Sequence, residues 1–130
     1  MDLEVTWEER AEGMFVVRPR GFLDSNTYTV LEDVLANLIA PSTRVLAFDM
    51  DGLEYISSAG LRVLFKAAKA VEGHGGAYVM SNLRPQIQKV FDIINALPSM
   101  RVFKDIQEVD AYLDTIQKRE IARLKEDPAV

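Results

Sequence analysis

The stretch VLAFDMDGLEYISSAGLRVLF, residues 45–65, decides how the chain folds. Its opening, VLAFDM, is almost entirely apolar, as expected of a strand buried on both faces of a sheet. From Ser58 the pattern changes period. Leu61, Leu64, Phe65, Ala68 and Val71 recur at spacings of three and four, which predicts a helix over about 58–71. Asp49 ends the strand, and between it and the helix lie the turn signal Asp51-Gly52 and the pair Ser57-Ser58. The ends of such strands are where open α/β sheets bind ligands. The serines therefore either start the helix or carry chemistry.

Working outward, LEVTWEER (3–10) alternates apolar and charged residues like a half-buried strand, and MFVVRPRG (14–21) follows a Glu12-Gly13 turn. The two predict a hairpin. Pro19 has no N–H for a ladder, so the second strand is expected to end, or to lie at an edge, there. In DSNTYTVLEDVLANLIA (24–40), Tyr28, Leu31, Val34, Leu35, Leu38 and Ile39 share one helical face. Asp24 or Ser25 is the expected N-cap, and Pro41-Ser42 closes the helix.

Downstream, EGHGG (72–76) ends the second helix, with Gly73 as the candidate left-handed cap. AYVMSN (77–82) is a short strand. Pro85 suits the first turn of a helix bearing Ile87, Val90, Phe91, Ile93 and Ile94. LPSM breaks it, RVFKD (101–105) is a last short strand, and a helix runs from Ile106 to about Lys125 with Ile106, Val109, Leu113 and Ile116 apolar. The order β-β-α-β-α-β-α-β-α implies one α/β domain, a mixed sheet of about five strands with four helices and parallel crossovers. We place the domain at residues 1–116 and a charged helical extension or tail at 117–130. That tail buries little, which leaves it to project, fray or pair with a second copy as a homodimer.

At 130 residues, 48% hydrophobic and 27% charged, the chain can bury a core without metals or disulfides. No apolar run approaches the roughly 20 residues of a membrane span. The acidic start MDLEVTWEER lacks the order of a signal peptide. Without cysteine there is no disulfide framework, thiol nucleophile or thiolate metal site, and a reducing, cytoplasmic setting is expected. A net charge of −5 with scattered Lys and Arg argues against nucleic acid, which is held by neutralising phosphates. A protein partner fits better.

Two catalytic readings of the join fail on their own chemistry. FDMDG (48–52) resembles the first motif of haloacid-dehalogenase-like phosphotransferases, in which one aspartate is the nucleophile and the next an acid/base. That chemistry needs a later Lys and an acidic pair at strand ends, yet the later strands end in MSN and KD. A nucleophile elbow needs G-x-S-x-G, and here the residues are I-S-S-A-G. The one histidine, His74, lies at the far end of the helix that follows, too distant to act as base and too isolated for a histidine metal site. We assign no catalytic residue, metal or cofactor. A serine hydroxyl at a helix start can instead take an orphan backbone N–H, a cap worth about 1 kcal/mol. The same position favours an anion, and a phosphoserine would place about two negative charges there.

YISSAGLRVL (55–64) resembles the Y-I-[DS]-S-[SA]-G-L-x-x-L core of anti-sigma-factor antagonists, the STAS domain family. GFLDSNT (21–27) resembles that family's G-x-L-D segment, VLAFDMDGLEYISS (45–58) its hydrophobic strand and following motif, and SNLRPQIQKVFDIINA (81–96) its third helix. VFKDIQEVDAYL fits the closing strand and helix, so the likeness spans about residues 3–116. It implies a non-enzymatic partner-switching regulator. The unphosphorylated form would bind an anti-sigma factor that is also a serine kinase, serine phosphorylation would break the complex, and a metal-dependent serine phosphatase would reset it. Position 59, an acceptor in some members, is Ala here, which moves the expected phosphosite to Ser58, with Ser57 second. The implied partner surface comprises Asp24, Asn26, Ser57, Ala59, Gly60, Leu61 and Arg62. The same domain also occurs in lipid- or anion-transport complexes without a phospho-switch.

Overall fold

In the computed structural model, which describes residues 2–96 and 106–126, the alternating N-terminal segment forms β1 (Leu3–Ala11). It pairs antiparallel with β2 (Met14–Leu23) across a turn that Gly13 makes at φ +75°. The chain continues through α1 (Tyr28–Leu38), β3 (Val45–Asp49), β4 (Leu53–Ile56), α2 (Ser58–Gly73), β5 (Ala77–Ser81), α3 (Pro85–Ala96) and α4 (Ile106–Glu126). The sheet runs β1-β2-β3-β5, and β4 pairs with β2. All pairings but the first hairpin are parallel. This is the α/β class expected, a mixed five-stranded sheet with four helices.

β4 is the strand that periodicity did not reveal. Four residues, LEYI, are too few to establish a period, and the preceding Asp51-Gly52 turn makes them read as loop. β3 and β4 lie in tandem along one side of β2: β3 meets residues 14–17 and β4 meets Gly21–Leu23. Pro19 falls between the two ladders. β2 therefore passes through Pro19 instead of ending there, because the missing N–H coincides with a gap in the pairing. The expected strand 101–105 and the break at 97–100 lie outside the described residues.

Leu31 and Leu35 of α1, Leu61, Leu64 and Val71 of α2, and Ile87 and Val90 of α3 pack with Val17, Leu46, Phe48 and Leu53 of the sheet. Full burial of each such side chain contributes about 1.5–3 kcal/mol. β3 is buried on one face only. Leu46 and Phe48 are fully buried while Val45, Ala47 and Asp49 are half-buried, so the expected two-sided burial does not hold. Phe65 also departs from the helical pattern. It is 45% exposed and packs edge-on against Phe91 of α3, while Val63 and Ala67 take the inner positions.

Two caps differ from expectation. α1 starts at Tyr28, after a turn over residues 24–27, so neither Asp24 nor Ser25 is its N-cap. At the end of α2, His74 is the C-cap and Gly75, at φ +82°, takes the left-handed conformation assigned to Gly73. In α4, Ile116 and Gln117 are buried, so the helix is still docked where the sequence turns charged. The side chains of Ile106, Val109 and Leu113 lie outside the described part.

Candidate functional site: the serine corner

The serines stand where β4 turns into α2. Ser57 is the N-cap, with extended backbone (φ −102°, ψ 176°), and its hydroxyl accepts the Gly60 N–H over a long 3.5 Å. Its own N–H donates to the Leu23 carbonyl at 2.9 Å, and its carbonyl accepts the Leu61 N–H at 2.9 Å. Ser58 is the first residue of α2. Both serines are buried, 6% and 7% exposed.

Gly60 is what allows this approach. A Cβ there would lie 2.6 Å from Leu23 Cγ and 2.9 Å from the Leu23 carbonyl oxygen. The start of α2 is thereby drawn against the end of β2, and Asp24 follows directly. The Asn26 and Thr27 N–H groups donate to Asp24 Oδ1 at 2.9 and 3.1 Å. Thr27 Oγ1 accepts the Asp24 N–H at 2.9 Å and donates to the Phe22 carbonyl at 2.6 Å. Thr27 is buried, and this turn rests on it. It escaped the sequence reading because a threonine ahead of a helix is indistinguishable from an ordinary cap.

The two segments that hold the expected site residues, 22–27 and 56–62, thus meet at one corner. The residues differ in what they can offer a partner. Asn26 and Arg62 are exposed, and Asp24 and Ala59 are half-buried. Leu61, 2% exposed, belongs to the core, and Gly60 and Ser57 shape the corner from within.

The opposite edge of β4 has no strand beside it among the described residues. Glutamines close it instead. Gln86 of α3 donates from Nε2 to the Glu54 carbonyl at 3.2 Å. Gln117 of α4 bonds Ile56 twice: Oε1 accepts the Ile56 N–H and Nε2 donates to its carbonyl, both at 2.8 Å. Gln117 is fully buried. Nearby, Lys118 and the Tyr55 hydroxyl, both bonded to Asp114, hold its carboxyl below the usual carboxylate range. Sequence reasoning missed Gln117, which is buried beside Ile116 on α4, where a polar residue needs a partner.

The aspartates of FDMDG have other duties. The Asn82 amide, the Asp51 N–H and Arg18 hold Asp49 in its charged form and lower its pKa. Asp51 makes the turn, and Arg84 Nε donates to its carbonyl at 2.6 Å. His74 and the serines sit at opposite ends of a 16-residue helix, about 24 Å apart. Among the described residues no three His, Asp or Glu side chains gather where they could hold a metal ion. No helix among them is long and apolar enough to cross a membrane.

Among the described residues, the fold is a small mixed α/β sheet whose second helix starts at a corner of buried serines. The family profile of the STAS domain matches residues 8–109, and the chain belongs to that family. It is 34% identical over 111 residues to BtrV of Bordetella bronchiseptica strain RB50, described as an anti-sigma factor antagonist. The match covers 85% of this chain and 96% of BtrV. In fold it is similar to the Bacillus cell fate determinant SpoIIAA in the phosphorylated form, with TM-score 0.61, 19% identity and coverage of 73% of this chain and 86% of that one. It is also similar to a part of the murine anion transporter Slc26a9, with TM-score 0.59, 18% identity and coverage of 82% of this chain but 18% of the transporter.

Proposed function

We propose that the protein is an anti-sigma factor antagonist in a partner-switching pathway. Its unphosphorylated form binds an anti-sigma factor that is also a serine kinase. Phosphorylation of Ser58 ends that complex, and a metal-dependent serine phosphatase restores it. The observation that carries this reading is the 34% identity to an anti-sigma factor antagonist over 96% of that protein's length. The likeness covers 85% of this chain.

The corner supports Ser58 over Ser57. Ser57 is the N-cap of α2 and fastens β4 to β2 with its N–H, while Ser58 is the first residue of the helix itself. Ser58 stands at the helix N-terminus, where unpaired N–H groups and the helix dipole favour an anion. Asp24, Asn26, Ala59 and Arg62 supply the neighbouring surface that a kinase or partner would touch. Because Ser58 is 7% exposed, phosphoryl transfer requires the corner to open.

Incubation with candidate serine kinases and ATP, followed by phosphosite mapping, tests the assignment. Phosphate on Ser58 that is lost in Ser58→Ala, with the anti-sigma factor released on modification, is the expected result. Binding of an anti-sigma factor that no serine modification alters would sink the switch. The transport-complex role is the second reading. It rests on the likeness to Slc26a9, which is one of fold alone.

A further inference from the structure

We infer that Gln117 holds the serine corner closed, and that lifting α4 from β4 is what exposes Ser58. The geometry comes first. β4 is four residues long and, among the described residues, pairs with a strand on one side only, through Gly21–Leu23. Its last residue, Ile56, would present an unpaired N–H and an unpaired carbonyl on the other side, and both are taken by the Gln117 amide at 2.8 Å. An amide matches a backbone pair in donor and acceptor, so one side chain replaces a neighbouring strand. Being fully buried, these bonds do not exchange readily with water.

The position is what gives the clamp a consequence. Ile56 is two residues before Ser58, and Ser57 between them is pinned on the opposite side to Leu23. The corner is thus gripped from both flanks, by β2 through the sheet and by α4 through side chains that include Gln117. The sheet link is three residue pairs, Gly21 with Leu53, Phe22 with Tyr55 and Leu23 with Ile56, with an irregularity after the first. Among the described residues the α4 link includes the Gln117 clamp and the Tyr55 bond to Asp114, side-chain bonds that can be released without breaking the sheet. Gln117 and Asp114 lie beyond the span, 8–109, that the family profile matches. Control of access at this serine is therefore built by this chain's own C-terminal helix. Gln117 is a positioning residue: it acts on Ser58 through Ile56. The consequence for phosphorylation rests on the switch reading above, while the clamp itself does not.

The chain has no cysteine, which permits a direct test. Ser58→Cys is introduced into the full chain, and its reaction with a small thiol reagent is timed with Gln117 intact and with Gln117→Leu. Ser25→Cys, at an exposed position of the neighbouring turn, is the control. We expect slow labelling at position 58 with Gln117, about tenfold faster labelling with Gln117→Leu, and no change at position 25. Equal rates at 58 in the two backgrounds, or equal acceleration at 25, would overturn the clamp. Should Gln117→Leu not fold, Tyr55→Phe removes the companion bond and must accelerate labelling at 58 in the same selective way. Accelerated labelling with no serine ever phosphorylated would leave the clamp standing and remove the switch. Phosphorylation of Ser58 at a rate indifferent to Gln117 would do the reverse.

Discussion

Ser57 and Leu23 are joined by a single backbone hydrogen bond, 2.9 Å from the serine N–H to the leucine carbonyl, and α2 is seated on the end of β2 around it. The contact brings the serine corner beside the Asp24 turn, two segments more than thirty residues apart in the chain. Its closeness depends on Gly60, whose missing side chain leaves room for Leu23.

Gly60→Ala is expected to destabilise the protein by about 1–3 kcal/mol, as overpacking of a close contact does. Alanine's intrinsic advantage in a helix, about 1 kcal/mol, works the other way and is already included in that range. Chemical denaturation measures the result. A higher midpoint in the variant would mean that the corner has space to spare.

Tyr78→Phe is expected to stabilise. The Tyr78 hydroxyl is buried beside Phe48, without a hydrogen-bond partner among the described residues. An orphaned buried hydroxyl costs about 1–3 kcal/mol, and phenylalanine removes it without changing the ring. Burial also raises the pKa of Tyr78 above its usual 10.0. The folded state then keeps a proton that the unfolded state releases, so stability is present below pH 10 and declines as pH rises above it. The variant should melt higher at pH 7 and lose less stability than the native protein on going to alkaline pH. A lower melting temperature at neutral pH would show that the hydroxyl has a partner after all.

Asp49→Asn is expected to flatten the acid side of the stability profile. The Asp49 carboxyl sits below its usual 3.8, held there first by Asn82, then by the Asp51 N–H and Arg18. A depressed pKa contributes stability above that usual value, and the contribution is lost as pH falls through the folded pKa. Melts between pH 2 and 5 should therefore fall less steeply in the variant. The same variant should not alter any phosphate-ester hydrolysis measured for the protein. Activity that disappears with Asp49 would restore the phosphotransferase reading.

Ser58→Asp places a carboxylate at a position 7% exposed. The helix N-terminus offsets part of its desolvation, by about 0.3–1 kcal/mol. A net loss of about 1–3 kcal/mol is expected, together with weaker binding of the anti-sigma factor. Ser58→Ala should keep that binding and, because Ser57 supplies the cap, lose only what the Ser58 side chain's own interaction contributes, about 1 kcal/mol. Calorimetry and a binding titration on both variants decide the matter. Ser58→Asp that binds as tightly as Ser58→Ala would separate charge at this position from partner release.

The sequence by itself determined the elements whose periods are long enough to read. The β1–β2 hairpin, the faces of α1 and α3, the burial of Leu46 and Phe48 and the start of α2 at Ser58 all follow from spacing and turn residues. So does the grouping of Asp24 and Ser57-Ser58 as a candidate site, once the motif resemblance is added. Tertiary structure decided what short or ambiguous segments do. LEYI became a strand because β2 offers it a ladder beyond the gap at Pro19, and four residues carry no period that could announce this. Phe65 turned outward because Phe91 receives it there, while Val63 and Ala67 filled the interior. Gln117, which opens the charged tail in sequence, became a buried clamp on Ile56. The reason is geometric: a glutamine's partner is chosen by which backbone groups another element leaves unpaired, and those groups lie 61 residues away.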